Sequence, residues 1–146
     1  MTGEGGYASF KFSCDSPWMI SLRLHNFSEY PIFDFHSEII NLDEPIDVKN
    51  RKLWTRLRWN HQHLFPSQQV NTPAYIFDFS ETKLLRLNIF IGTRSGLLYQ
   101  QIRFLKIEDT FVHASRTWDG ETTYAIDASP DYPGWDPNAE EQFWND

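Results

Sequence analysis

Apolar and polar residues alternate along most of the chain, which is the pattern of β-strands that bury one face. The first such run places Ala8, Phe10 and Phe12 on one side. The next run, residues 18–27, places Ile20 and Leu24 on the same side as each other and polar residues on the opposite side. We therefore predict two half-buried strands at the start of the chain.

The second half repeats this pattern with short turns between the runs. We predict five strands at residues 74–79, 83–93, 97–107, 110–117 and 122–126. Asp119-Gly120 between the last two is a typical hairpin signal. Short connections of this kind favour an antiparallel meander of five strands.

The middle of the chain is less regular. Residues 32–35 and 38–42 indicate a short strand or a ribbon with a bend. Apolar positions between 46 and 59 fit helical spacing and strand spacing, and a strand over 53–59 is our preferred interpretation. Residues 60–73 are polar and contain Pro66 and Pro73, which predicts a long surface loop. The predicted fold is all-β, a small barrel or a sandwich, with at most one short helix near residues 43–58.

Composition limits the class of protein. The 146 residues are 40% hydrophobic and 16% aromatic, which fits one folded domain. No segment approaches the roughly 20 apolar residues of a membrane helix, and no signal peptide is recognisable. The single cysteine, Cys14, suits a reducing compartment. We expect a soluble, cytoplasmic protein that does not bind membranes.

The charge of -7 is concentrated at one end. Residues 1–116 carry 13 Lys and Arg against 12 Asp and Glu, a net charge of +1. Residues 117–146 carry eight acids and no Lys or Arg. We therefore divide the chain into an all-β domain, 1–127, and an acidic, aromatic C-terminal segment, 128–146.

One basic run stands out in residues 49–58. Its candidate polyanion-binding residues are Arg51, Lys52, Trp54, Arg56 and Arg58. On a strand, Trp54, Arg56 and Arg58 share a face that could stack on a base and pair with phosphate. The competing interpretation is a solvated strand face, because the body lacks the broad positive charge of nucleic-acid-binding proteins.

The C-terminal segment combines acids with large aromatic rings. A disordered tail normally lacks such rings, so we expect them to dock, either on the protein's own body or on a partner protein. In the second case the acids would steer the encounter. The candidate partner-binding residues are Trp135, Phe143, Trp144, Glu140 and Glu141.

Three histidines are candidate metal ligands. His61 and His63 stand at the edge of the predicted loop; on a strand they would point to one side, and His113 on a later strand could supply a third nitrogen. No carboxylate stands at a diagnostic spacing, so surface or packing roles compete with this interpretation. No phosphate-binding loop or nucleophile motif is present, and we predict no cofactor.

Three functional hypotheses follow. The first is a non-catalytic protein that recognises a partner protein through an exposed sheet face and the C-terminal segment. The second is a single-stranded nucleic-acid-binding barrel whose acidic tail shields its own basic run. The third is a small barrel that binds an apolar ligand or a histidine-ligated metal, with catalysis an open question. The sequence leaves the oligomeric state open.

Overall fold

A computed structural model of the chain describes residues 8–16, 19–44, 47–51, 56–78, 82–94, 96–138 and 143–144. These residues form nine strands, and helical backbone occurs among them only at Phe143 and Trp144. The strands are β1 (Ala8–Ser16), β2 (Met19–Asn26), β3 (Ile32–Asn41), β4 (Arg56–Leu64), β5 (Gln69–Asp78), β6 (Leu84–Thr93), β7 (Gly96–Ile107), β8 (Thr110–Trp118) and β9 (Thr123–Ala128). The prediction of an all-β fold is confirmed.

The strands form two antiparallel sheets. The smaller sheet has the order β1-β2-β5, and the larger has the order β4-β3-β6-β7-β8-β9. Strands β6 to β9 form the expected meander, and the Asp119-Gly120 turn joins β8 to β9 as predicted. Strand β5 is different, because it pairs with β2 and not with β6. The meander therefore has four strands instead of the five that we expected.

The pairing register assigns each residue of the large sheet to one of two faces. Leu87 lies opposite Ile102, and Ile89 lies opposite Gln100, so these side chains share the face that we call inner. This face contacts the small sheet, because the ring of Phe10 lies 6.3 Å from that of Phe35, and the ring of Phe12 lies 4.7 Å from that of Phe104. The residues that alternate with these along each strand have their side chains on the opposite face, which we call outer.

The main hydrophobic core fills the space between the two sheets. Buried side chains from both sheets form one cluster, including Leu22 and Leu24 from β2 and Ile39, Leu87 and Ile102 from the large sheet. The two sheets therefore pack in a sandwich-like arrangement. The barrel alternative is wrong for the described residues: β4 and β9 end the large sheet as separate edges, so the sheet does not close.

The predicted surface loop at residues 60–73 is also wrong. Strand β4 continues to Leu64, and β5 begins at Gln69, which leaves a short turn between them. Pro73 lies in β5 at a shift in the register with β2, where Ser21 faces Ile76 and Arg23 faces Asn71. Because β5 is an edge strand, a residue without an N–H group is tolerated at that irregularity.

A short helix near residues 43–58 is not found in the described part of that range. Residues 42–44 and 48–51 are turns or bends, and β4 begins at Arg56. Residues 45–46 and 52–55 lie outside the described residues. Nowhere in the described chain is there a helix long and apolar enough to cross a membrane.

Candidate binding surfaces

An aromatic row crosses the outer face of the large sheet. Phe90 on β6 lies opposite Tyr99 on β7, and Tyr99 lies opposite Trp118 on β8. The ring centroids of Phe90 and Tyr99 are 5.6 Å apart, and those of Tyr99 and Trp118 are 6.2 Å apart. Leu97 lies two positions before Tyr99 on β7, so its side chain is on the same face. We call Phe90, Leu97, Tyr99 and Trp118 the aromatic patch.

The aromatic patch is accessible to a partner. Leu97 is 44% exposed and Phe90 is 37% exposed, which is unusual for large apolar residues on regular strands. A groove of about 340 Å³ runs beside the rings and is also lined by Asn88, Gln101 and Gly120. The rings are tilted by 53° to 78° from one another, so they form a ridged surface rather than a flat stacking platform.

The C-terminal segment packs beside this patch on the same outer face. Tyr132 and Trp144 are buried against Val112 and Ala114 of β8, and Trp135 and Phe143 pack against this cluster. The rings contact one another edge to face, with 4.8 Å between the centroids of Phe143 and Trp144. The segment therefore covers part of β7 and β8 with its own small core.

Arg116 links the C-terminal segment to the aromatic patch. Its guanidinium lies 4.1 Å from the ring centre of Trp118 and 5.2 Å from that of Trp144. It also donates hydrogen bonds to the Oε1 atom of Gln101, whose amide group donates to the backbone oxygen of Trp144 over 3.4 Å. A cation between two aromatic rings is an attractive arrangement when it is shielded from water, as Arg116 is with 2% exposure.

A second buried arginine lies under the segment. Arg103 donates to the backbone oxygens of Leu87 and Ile102 and to the side chain of Asn88. Burial, and after it the positive charge of Arg86, lowers the pKa of Arg103 to about 10. Burial also raises the pKa of the Tyr132 hydroxyl. Thus the described part of the acidic segment covers Arg103 and Arg116, which the sequence analysis did not single out.

The predicted polyanion-binding residues lie at the far edge of the same sheet. Arg56 and Arg58 are exposed on the outer face of β4, and both approach Glu38, at 2.5 Å and 3.7 Å. Arg51 is exposed in the preceding turn. Lys52 and Trp54 lie outside the described residues. The two described strand arginines therefore share one carboxylate, which reduces the charge available to an anionic ligand.

The predicted shielding of the basic run would require the acidic segment to reach β4. Tyr132 and Trp144 instead contact β8. Strands β3, β6 and β7 separate β4 from β8, which corresponds to about 19 Å along the sheet. The described part of the segment therefore does not lie over Arg56 and Arg58.

The same distance of four strand spacings separates two of the candidate metal ligands, His61 and His63, from the third, His113. His61 and His63 lie on β4, where His61 stacks on Trp59 and His63 meets the edge of Phe33. His113 lies on β8, so the structure does not bring the three histidines together. No group of three or more His, Cys, Asp or Glu suited to a metal ion occurs among the described residues.

The candidate partner-binding residues differ in accessibility. Trp135 and Phe143 are half-buried, whereas Trp144 is only 2% exposed. Glu140 and Glu141 lie outside the described residues. A partner could reach the Trp144 ring only if the C-terminal segment moved away from β8, whereas Trp135 already presents part of its ring to solvent.

A cleft of about 380 Å³ opens on the inner side of the large sheet. One wall is the edge strand β1 with Ser9, Phe10, Lys11 and Phe12, joined by Phe27. The floor is the inner face of β8 and β9, with His113, Ser115, Thr117, Ala125 and Asp127, next to Gln100 of β7. In contrast to the apolar inner face of β3 and β6, this floor is mainly polar.

His113 lies between a serine and a carboxylate, which invites comparison with hydrolase sites. Its Nδ1 atom is 3.2 Å from Ser129 Oγ, and its Nε2 atom is 3.3 Å from Asp127. Ser129 Oγ also accepts the backbone N–H of His113, and the Ser129 N–H donates to the backbone oxygen of His113. Ser129 does not line the cleft. These bonds fasten the chain after β9 onto β8 and do not present a nucleophile to a substrate.

No family model, curated protein or solved structure matches this chain. The comparisons therefore assign no function, and only the geometry of the chain's own surfaces indicates one.

Proposed function

We propose that this is a non-catalytic binding protein that recognises a partner protein through the aromatic patch and the adjoining C-terminal segment. The observation that carries the proposal is the exposure of Phe90 and Leu97 beside Tyr99 and Trp118 on regular strands. Strands fix these side chains in place, so the patch offers a preformed apolar contact at low entropic cost.

The charge around the patch indicates the chemistry of the partner. Glu121, Asp131 and Asp136 are exposed in the chain that follows Trp118, and residues 117–146 contain no Lys or Arg. The Asp119 carboxylate accepts the backbone N–H groups of Thr122 and Glu121, which lower its pKa and keep it ionised. The border of the patch is therefore acidic on the side of β9, whereas on the side of β3 Phe90 lies opposite Glu38, which pairs with Arg56 and Arg58. The acidic side is complementary to a basic group on the partner's surface.

The proposal is tested by comparing protein capture from the native cell by three forms of the chain. The first is unchanged, the second carries Phe90→Ser and Leu97→Ser, and the third carries Phe65→Ser. Phe65 is 59% exposed in the turn between β4 and β5, so its substitution removes a similar apolar group away from the patch. We expect the first and third forms to retain one specific protein and the second to lose it.

Salt dependence provides a second measurement with the captured protein. Because the border is acidic on the side of β9, the association rate should fall as salt is raised, and the dissociation rate should change less. Capture of the same protein by all three forms, or its equal loss from the second and third, would contradict the proposal. Circular dichroism verifies that each variant keeps its strand content.

A further inference from the structure

Two positively charged side chains lie directly opposite each other on the small sheet. Lys11 on β1 pairs in register with Arg23 on β2, and their neighbours along each strand, Phe10 and Leu24, belong to the core. Both cations therefore project from the face of the small sheet that is turned away from the large sheet. Like charges at opposed positions of antiparallel strands repel each other. Neither cation makes an ion pair within the part of the chain that the structure describes.

Two buried nitrogen atoms on this face have no hydrogen-bond partner among the described residues. They are the Nε atom of Arg23 and the Nδ1 atom of His25, which lies two positions further along β2 and therefore on the same face. A buried donor without an acceptor costs free energy that a bound acceptor would recover. Burial, and after it the positive charge of Lys11, lowers the pKa of His25. An anion would interact favourably with all three side chains.

An aromatic ring and the cleft adjoin these three side chains. The ring of His25 stacks on that of Phe27 with 4.1 Å between the centroids, and the Nζ atom of Lys11 lies 5.0 Å from the centre of the Phe27 ring. Phe27 is 39% exposed, and it lines the cleft of about 380 Å³ together with Lys11. On the floor of the cleft, the Asp127 carboxylate already contacts His113. A ligand held by Lys11 therefore has space beside Phe27 for an organic group.

We infer that Lys11, Arg23 and His25 bind the phosphate of an aromatic phosphate monoester, whose ring packs against Phe27 at the mouth of the cleft. Such a phosphate carries about two negative charges at neutral pH and has three acceptor oxygens, so it can pair with both cations. Arginine can donate two parallel hydrogen bonds to phosphate, and lysine adds a point charge. The site lies on the opposite side of the sandwich from the aromatic patch, so the inference does not rest on the proposed function.

Titration with phenyl phosphate and with inorganic phosphate tests the class of ligand, with the His25 ring signals in NMR spectra as the readout. Phenyl phosphate should bind about threefold more tightly, because its ring can contact Phe27. Its binding should also raise the pKa of His25, because a neighbouring anion favours the protonated imidazole. Equal affinities for the two probes would contradict an aromatic monoester as the ligand. An unchanged pKa of His25 would contradict the position of the phosphate.

Substitution of the two cations separates a built site from a general attraction of anions. Arg23→Met should weaken the binding of phenyl phosphate about tenfold, and Lys11→Met about fivefold, because Lys11 is the more exposed of the two. Lys83→Met is the matched control: it removes one exposed charge next to β6 and should leave the affinity unchanged. Equal weakening by all three substitutions, or none by Arg23→Met, would overturn the inference.

Urea unfolding of Arg23→Met provides an independent check. Because this substitution removes the repulsion between Arg23 and Lys11 and retains a long apolar side chain, its unfolding midpoint should be no lower than that of the unchanged protein. A clear fall in the midpoint would show that the charged group of Arg23 stabilises the fold. That result would contradict a pair of cations arranged for a ligand.

Discussion

The large sheet is covered differently on its two faces. On the inner face, a regular three-stranded sheet buries aliphatic and phenylalanine side chains in one continuous cluster. On the outer face, an irregular segment covers part of β7 and β8 with Tyr132 and Trp144, and Arg103 and Arg116 lie beneath it. The first cover is part of the cooperative core. The second is small and local, so it can change without dismantling the sandwich.

This difference explains why the candidate binding features gather outside the main core. The outer face has an exposed patch next to a short cover, and the inner face of β8 and β9 forms the polar floor of a cleft beside β1. Both are places where one layer ends before the other. Complete burial of a six-stranded sheet would require more strands than the described chain places in its second layer.

The largest loss of stability is expected from a substitution in the core between the two sheets. Phe104 is fully buried on β7, where its ring contacts Phe12 and Phe111. Phe104→Ala should lower the free energy of unfolding by about 3–5 kcal/mol, because it removes a large apolar group and leaves a cavity between the sheets. Urea unfolding followed by circular dichroism measures this loss.

Leu105→Ala is the control for the Phe104 substitution, since Leu105 is adjacent in sequence but half-buried on the outer face. Its effect should be clearly smaller than that of Phe104→Ala. Equal losses for the two variants would show that the inner and outer faces contribute alike, and the comparison between them would fail.

The inner core was largely predictable from the sequence because burial on one face produces alternation. In β2, Ile20, Leu22 and Leu24 alternate with polar residues, and all three are buried as expected. Strands β6 to β8 follow the same rule, and their short turns specify that neighbours in sequence are neighbours in the sheet. The alternation within each strand and the short turns between strands were sufficient to predict these elements.

Only the second half of strand β5 was predicted, as part of the strand at residues 74–79. Its first half belongs to an edge strand, is polar and contains Pro73, so neither continuous burial nor alternation identifies it. Its pairing with β2, and that of β3 with β6, joins segments far apart in the chain. Such pairings depend on how the layers pack, which is also why the sequence left a sandwich and a barrel open.

The binding surfaces were predicted only in part. The aromatic C-terminal segment was recognised, whereas the aromatic patch was missed because its rings come from three different strands. Gln100 carried a usable signal: it shares the inner-face spacing of Leu98, Ile102 and Phe104, so the pattern indicates a buried polar group in need of partners. The buried Arg103 and Arg116 occupy the alternate face and gave a similar signal.

A smaller loss of stability is expected from a substitution in the C-terminal segment, which covers part of the outer face. Trp144→Ala should lower the free energy of unfolding by about 2–3 kcal/mol, at or below the usual cost for a buried tryptophan, because the segment can settle over the gap. Hydrogen exchange should show faster exchange at Tyr132 and Trp135, whose N–H groups bond within the segment, while β2 and β6 stay protected. Loss of protection throughout the small sheet would contradict a local role for this cover.

Trp144→Phe is the matched variant for this position. The Nε1 atom of Trp144 is buried and has no hydrogen-bond partner in the described part of the chain. Replacing the indole by a phenyl ring removes that unsatisfied group and retains an aromatic ring against Arg116. We therefore expect a loss well below that of the alanine variant. Similar losses for both would show that the indole N–H contributes through a bond.

The smallest loss of stability is expected on the outer face of β3 and β4, where the described part of the C-terminal segment does not reach. Glu38 pairs with Arg56 and Arg58, whose side chains are 58% and 74% exposed. Glu38→Gln should change the free energy of unfolding by less than about 0.5 kcal/mol, because exposed ion pairs contribute little in water. It should also free two guanidinium groups, so binding of single-stranded oligonucleotide at low salt measures what the carboxylate masks. A stability loss as large as that of Trp144→Ala would show that this exposed ion-pair group contributes as much to stability as the buried ring of the C-terminal segment.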